Sequence, residues 1–355
     1  MKKVSVVIPV YTVEKYIADA VQSVLEQTYK ELEVIVVDDG TPDASIEICQ
    51  QFTDPRIKII HQNNRGASAA RNNGIRHAQG DYIAFLDGDD TWVPEKLEKH
   101  ISHLESSPNV GVSFSYCAFV DENGKPLGLY NATEYKVITP GAILCRNPIV
   151  SPSCLVTRRE VLEAVKFQQE IDGVIEDCYF DENLRQSEDA ECWFRICVKT
   201  NWKLEAIPEI LANYRLHSVG NSANLLKTLD SWDQFIEKAK LYASEIVAEW
   251  EKPAMAYTLR YLARKAVTMN DGSMAMNLTH KALTTHWRIL LEEPRRTFIT
   301  LGAAFALWLL PQPLYRQLQL IGLKVISNSQ KRRIQKDQLA KNQVEQFQSL
   351  EPKSS

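Results

Sequence analysis

The sequence predicts an α/β protein: a mostly parallel central sheet flanked by helices, followed by an α-helical C-terminal region. Short continuous apolar runs alternate with segments of helical spacing along the N-terminal part of the chain. That is the pattern of strands buried on both faces and joined by helical crossovers. Acidic residues and glycines gather at the ends of those runs, where ligands of such sheets collect. From about Trp232 onward the strand pattern gives way to helical periodicity.

Val4–Val10 reads as the first buried strand. Met1-Lys2-Lys3 before it resembles the start of a signal peptide, but the apolar run is short, Pro9 interrupts it and no small-residue cleavage site follows. Val13, Ile17, Val21, Val24 and Leu25 predict a helix over Val13–Gln27. Leu32–Val37 is a second strand, and Asp38-Asp39-Gly40-Thr41-Pro42-Asp43 turns into a helix at about Ala44–Phe52. A strand at Ile57–His61, a helix at Ala67–Ala78 and a strand at Tyr82–Leu86 complete a βαβαβαβ series. Later helices are expected at Ser231–Glu251, Pro253–Met269, Met274–Thr284 and Pro294–Leu310, with Asn270-Asp271-Gly272 separating the middle pair. The expected units are residues 1–225, a helical region at 226–343 and a polar, disordered tail at 344–355.

A net charge of −4 over 355 residues argues against a dedicated nucleic-acid binder. Seven cysteines without C-x-x-C or zinc spacing read as buried thiols in a reducing, cytoplasmic compartment. The charge is unevenly spread: residues 295–341 hold nine Lys or Arg and one acid, Asp337. Within that stretch, Phe298–Leu310 is apolar but too short to span a bilayer, for which about 20 residues are needed. Flanked by Arg295 and Arg296 and followed by the basic run, it is expected to lie on an anionic membrane surface, at the inner face of the plasma membrane; the alternative is a buried core helix packed on the protein.

The segment Gly80-Asp81-Tyr82-Ile83-Ala84-Phe85-Leu86-Asp87-Gly88-Asp89-Asp90 carries the most chemistry. Carboxylates so crowded raise one another's pKa unless a cation sits among them. Hard oxygen ligands favour Mg2+ or Mn2+, held together with substrate phosphates. The alternative is an acidic strand-to-loop turn, and for Asp39 it is helix capping. A dinucleotide-binding dehydrogenase loses its main support, because the first strand leads into Pro9-Val10-Tyr11-Thr12-Val13 with no glycine for a pyrophosphate.

Several short motifs occur in a fixed order: VSVVIPVY, VIVVDDGTPD, RGASAARNNGI, DYIAFLDGDD and the pair Glu188-Asp189 before Cys192-Trp193-Phe194-Arg195, then Tyr214-Arg215-Leu216-His217-Ser218. In this order the chain resembles a family 2 inverting glycosyltransferase of the GT-A fold over about residues 1–225. The resemblance implies a nucleotide-sugar donor, usually a UDP-sugar, and a saccharide or polyprenyl- or lipid-linked acceptor. It implies that Pro9 and Tyr11 line the base pocket, that Asp39 accepts a hydrogen bond from the uracil ring, and that Arg71 lies near phosphates or base. Asp87 would reach the ribose and Asp89 a Mn2+ or Mg2+ ion, with His217 as a second metal or phosphate contact and Asp90 at most capping the turn. Asp189 is the candidate general base, with Glu188 and Arg215 in support; the alternatives are an acid pair complementing a helix dipole and ordinary surface groups at His217 and Arg215.

Relative to that family pattern, residues 168–179 form an extra acidic stretch (Glu170, Asp172, Glu176, Asp177) on the presumed acceptor side, either shaping acceptor choice or forming a flexible surface loop. The rival readings are a nucleotidyltransferase, which lacks its Gly/Lys-rich phosphate loop here, and an inactive membrane-associated scaffold.

Overall fold

A computed structural model describes residues 2–133, 135–171, 173–184, 186–217, 225–311 and 313–315. The basic run beyond residue 315 and the expected tail at 344–355 lie outside the described residues. Strand β1 (Val4–Val10) runs parallel between β2 (Leu32–Asp38) and β4 (Tyr82–Phe85), with β3 (Ile57–His61) parallel on the far side of β2. The register pairs Val10 with Asp38 and Val7 with Phe85, so the carboxyl ends of three strands finish at one edge. The loops carrying Tyr11, Asp39 and Asp87–Asp90 therefore start side by side.

Beyond β4 the sheet becomes mixed. It continues through antiparallel β8 (Leu155–Arg158), then β6 (Val110–Val120), β11 (Lys203–Arg215) and the short β5 (Thr91–Trp92), while β7 (Pro126–Asn131) pairs with β6. Alternate side chains go to opposite faces, as the pleat requires. Val7, Ile35, Val37 and Phe85 enter one core, and Val6, Ile8, Val34 and Val36 the other.

Helix α1 (Ile17–Leu25) starts four residues later than the apolar spacing predicts. Thr12 adopts a left-handed φ of 53°, and the N–H groups of Thr12, Val13 and Glu14 donate to Thr41 Oγ1, Ser45 Oγ and Asp43 Oδ2. Those amides are spent on the loop before α2 (Ser45–Gln50), which fixes the end of β1 against the end of β2. Helix α3 (Ala67–His77) follows β3, and α4 (Lys96–Ser106) follows β5.

The extra stretch at 168–179 is neither loop nor tail but a hairpin, β9 (Phe167–Ile171) and β10 (Val174–Cys178), turning at Gly173 with φ 80°. It follows α6 (Arg159–Val165) and precedes α7 (Glu188–Lys199). Of the acids expected there, Asp172 lies outside the described residues.

The C-terminal helices differ from expectation in one respect. Pro253 does not separate two helices: α8 runs over Leu225–Thr268 with Pro253 inside it, and its non-helical residue is Ala243 (φ −149°, ψ 44°). Helices α9 (Gly272–Thr285), α10 (Ile289–Glu292) and α11 (Pro294–Leu309) complete the region. Helix α8 grips the first part of the chain at two places. Trp250 lies flat on Gly141 of α5 (Pro140–Arg146), where an added Cβ would come within 2.5 Å of the indole. Tyr242 Oη donates to the fully buried Glu191 of α7 at 2.9 Å, and Lys238 Nζ stands 3.4 Å from the same carboxylate and 2.6 Å from Asp181.

Glu191 also accepts both ends of the Arg195 guanidinium at 3.0 Å. A buried ion pair stripped of one partner leaves a charge without compensation, so Glu191→Ala is expected to lower stability by about 3–5 kcal/mol. Urea unfolding followed by circular dichroism measures this, and a change below about 1 kcal/mol would show that the cluster contributes no more than a surface pair.

Candidate active site

Two short loops and a helix start converge around one buried cation. Arg71, in the first turns of α3, is 4% exposed. Its Nη2 donates to Asp87 Oδ1 at 2.7 Å and its Nη1 to Glu188 Oε1 at 2.9 Å, while the guanidinium lies 5.7 Å from the centre of the Phe180 ring. This single side chain ties the end of β4 to the start of α7. Asp87 is held on its other side by Ser151 Oγ at 3.2 Å, and its N–H donates to Ser153 Oγ at 3.0 Å. Gly88 between the aspartates cannot carry a side chain, since a Cβ would sit 2.9 Å from Val13 Cγ2 and 3.4 Å from the Pro9 carbonyl oxygen.

Asp89 and Asp90 point to different surroundings. Asp89 Oδ2 is 2.7 Å from His217 Nε2, and burial together with Asp87 raises its pKa. Asp90 does more than cap a turn. It is 2% exposed, accepts the Arg215 N–H on Oδ1 at 3.0 Å, and its buried Oδ2 makes no close hydrogen bond among the described residues. Burial and then its two neighbouring aspartates push its carboxyl well above the ordinary range.

Arg215 faces backbone: its guanidinium donates to the carbonyl oxygens of Asp89, Asp121 and Glu122 and lies 4.6 Å over the Tyr16 ring. Tyr16 also packs against His217 at 5.3 Å. Tyr16 and Arg215 then line a recess of about 330 Å³ with Lys15, Asp19, Glu122 and Asn123.

Asp39 is buried, and its carboxylate is occupied by the chain itself. Oδ1 accepts from the Arg65 N–H and Gln62 Nε2, and Oδ2 from the Gly66 N–H, each at 2.8 Å. Gly66 takes φ 93° at the start of α3, a conformation open to glycine. Asp39 thus shapes the loop that launches the Arg71 helix. Pro9 is part-exposed and Tyr11 is 47% exposed at the same strand edge.

At the start of α7, Ser187 is left-handed with φ 63°, which throws Glu188 and Asp189 to adjoining positions with different partners. Glu188 faces the Arg71 cation. Among the described residues, the hydrogen-bond donors to Asp189 are neutral: Asn147 Nδ2 on Oδ2 at 3.2 Å and the neighbouring Ala190 N–H on Oδ1 at 2.7 Å. Desolvation, then Glu188, pushes the Asp189 carboxyl up to about 7. Of the two adjacent carboxyls, Glu188 is paired with Arg71 and Asp189 exchanges a proton near neutral pH.

Ser151, Ser153, Asn147 and Tyr16 escape the sequence reading, because each is an isolated polar or aromatic residue with no motif around it. Arg65 has a faint signal, standing at the head of RGASAARNNGI. Among the described residues, no three His, Cys, Asp or Glu side chains form a ready metal shell. Asp89 with His217, beside the buried Asp90 Oδ2, is the donor set that fits a small divalent ion completed by phosphate oxygens.

A family model described as glycosyl transferase family 2 matches residues 5–166. The chain is 32% identical over 243 residues to a putative teichuronic acid biosynthesis glycosyltransferase of Bacillus subtilis, covering 67% of this chain and 89% of the relative. The chain belongs to glycosyl transferase family 2. Other relatives are longer, and the transferase spans 31% of an uncharacterized glycosyltransferase of Rickettsia conorii that is 35% identical over 202 residues. Two solved structures share the fold. A mannosyltransferase of Pyrobaculum calidifontis in complex with GDP-Man and Mn2+ gives a TM-score of 0.55 at 19% identity over 86% of each chain. Staphylococcus aureus TarS 1–349 in complex with UDP-GlcNAc gives 0.52 at 17% identity, covering 94% of this chain and 92% of that one.

Because the folded Asp189 carboxyl titrates above its unfolded value, its protonated form favours the folded state, and that contribution is lost as pH rises from about 4 through about 7. Asp189→Asn is therefore expected to melt above the wild type at pH 8, with the gap closing toward pH 4. Scanning calorimetry across that range checks the sign, and a gap independent of pH would refute it.

Proposed function

We propose that the transferase moves a sugar from a UDP-sugar to a saccharide or polyprenyl-linked acceptor with inversion at the anomeric carbon, in polysaccharide or glycolipid assembly beside an anionic membrane on its cytoplasmic side. The observation that carries this is the Arg71 bridge, which sets the Asp87-Gly88-Asp89 loop and the Glu188-Asp189 helix start around one place. Pro9 and Tyr11 would line the base, with Asp39 reaching the uracil once donor displaces part of its loop contacts. Asp87 would face the ribose. Asp89 and His217 would hold Mn2+ or Mg2+, and the ion, when bound, neutralises charge developing on the leaving diphosphate.

Asp189 takes the proton of the acceptor hydroxyl. That oxygen bonds to the anomeric carbon as the bond to the diphosphate breaks, and the electron pair leaves with the diphosphate. A base that titrates near 7 is matched to this work at neutral pH. Arg71 and Glu188 orient the two loops without entering the exchange, and Arg215 and Tyr16 hold His217 in place.

Isothermal calorimetry with UDP, with and without Mn2+, tests donor and metal together: binding that needs the ion is expected, and ion-independent or absent UDP binding would overturn this assignment. Competition with GDP decides the base. Asp189→Asn is expected to reduce transfer by about 10³-fold or more while leaving UDP affinity within about twofold. Retained turnover would remove Asp189 from the role of base.

A further inference from the structure

Helix α11 is built inside out. Its buried residues are Thr297, Thr300, Ala304 and Leu307, of which two are hydroxylic and one is small. Its outward side carries Phe298 at 58% exposure, Phe305 at 48% and Leu309 at 59%. These lie at i, i+7 and i+11, with the exposed Gly302 between them, so they form one stripe along the helix. Ile299 and Trp308 flank it at 46% and 58%. A helix on a water-facing surface shows the opposite order, polar outside and large apolar groups inside.

Just before α11, Trp287 and Leu291 add 60% and 70% exposure. Apolar patches this concentrated are uncommon on surfaces that meet only water.

From this we infer that the outward stripe of α11, with Trp287 and Leu291, is a membrane-docking surface that sinks into the headgroup and acyl boundary of an anionic bilayer. Two further facts select lipid over a protein partner. Exposed Arg295 and Arg296 stand at the N-terminal end of the stripe, and the chain after residue 315 carries seven more Lys or Arg and one acid up to Lys341, a charge complement to anionic headgroups. Trp308 and Trp287 are the amphipathic rings that settle at a membrane interface. No helix among the described residues is long and apolar enough to cross a membrane, so the mode is lying on the surface.

The inference deepens the proposed membrane partner and stands on the face of α11, not on the chemistry at Asp189. Its purpose is to hold a soluble-looking catalytic region beside acceptors that are themselves anchored in lipid.

The test is co-sedimentation of the full-length protein with vesicles of phosphatidylcholine containing roughly a third phosphatidylglycerol, against pure phosphatidylcholine. Wild type is expected to pellet with the anionic vesicles and less with the neutral ones. The triple variant Phe298→Gln/Phe305→Gln/Leu309→Gln is expected to bind at least about tenfold more weakly, with unchanged circular dichroism and UDP binding. Single Phe305→Gln, a change at an exposed position, is expected to weaken binding by about threefold and covers the case in which the triple variant fails to fold.

Vesicle binding unchanged in either variant overturns the inference, as does wild type that binds no vesicles. Wild type that sediments as a dimer, with the triple variant monomeric and neither binding vesicles, overturns it in favour of contact between two copies. Vesicle binding without any UDP binding would leave this surface standing and sink the proposed donor instead.

Discussion

One buried cation organises the site. Arg71 has almost no contact with water, so its charge is tolerable only with carboxylates against it. It obtains two, Asp87 and Glu188, from segments a hundred residues apart in sequence. The consequence is electrostatic as much as geometric. Glu188 meets the cation, while Asp189, one residue further on, receives amide donors among the described residues, and burial followed by Glu188 raises its carboxyl to about 7.

The cation in turn depends on how its helix begins. Asp39 collects the N–H groups of Arg65 and Gly66, which sets the first turn of α3. The Arg65 side chain leaves that turn to meet Glu176 and Glu182, and Arg76 reaches Glu176 from the other end of the helix. Asn72, next to Arg71, donates to the Phe180 carbonyl oxygen and accepts the N–H groups of Tyr179 and Phe180. The β9–β10 hairpin and the segment leading into α7 are thus fastened to α3 by charge and amide pairs. The acidic character of residues 168–179, open in the sequence between acceptor contact and loose loop, has a third use: Glu176 is a counter-ion for α3.

Continuity of pattern determines what could be read in advance. The strands β1 to β4 are uninterrupted apolar runs, and parallel pairing between buried strands leaves that mark on every residue, so their existence and shared edge were legible. The boundary of α1 was not, because Val13 has the spacing of a helix while its N–H goes to Ser45. Side-chain capture of an amide from 32 positions away has no local signature. Pro253 misled for the converse reason: its local rule is strong, yet the chain departs from helix at Ala243, beside the Tyr242 ring that packs on Phe194 and bonds Glu191. The strand-end carboxylates were legible because they crowd where ligands of such sheets collect, and Arg71 through the ordered motif RGASAARNNGI. Asn147, Ser151 and Ser153 were not, since neutral hydrogen-bonding residues are common everywhere and acquire meaning only from what folds against them.

The C-terminal helices take part in this geometry rather than trailing behind it. Asn147, the only side chain that donates to Asp189 among the described residues, is the left-handed C-cap of α5 with φ 40°. That strained residue holds its place because α5 is clamped: Trp250 rests on Gly141, and Arg146 pairs with Glu293 and lies over Tyr257. The other partner of the base, the start of α7, is clamped two residues on at Glu191 by Tyr242 and Lys238. Both supports come from α8 and the segment entering α11. Helix α11 therefore has two unlike sides: the inward side, with Thr297 bonded to Arg260 at 2.8 Å, closes the helical pack behind Asp189, and the outward side is left apolar. A chain under selection for solubility alone would have placed its hydroxyls outward and its phenylalanines inward. The same pack joins α11 to the position of Asp189 through Glu293, Arg146 and Asn147.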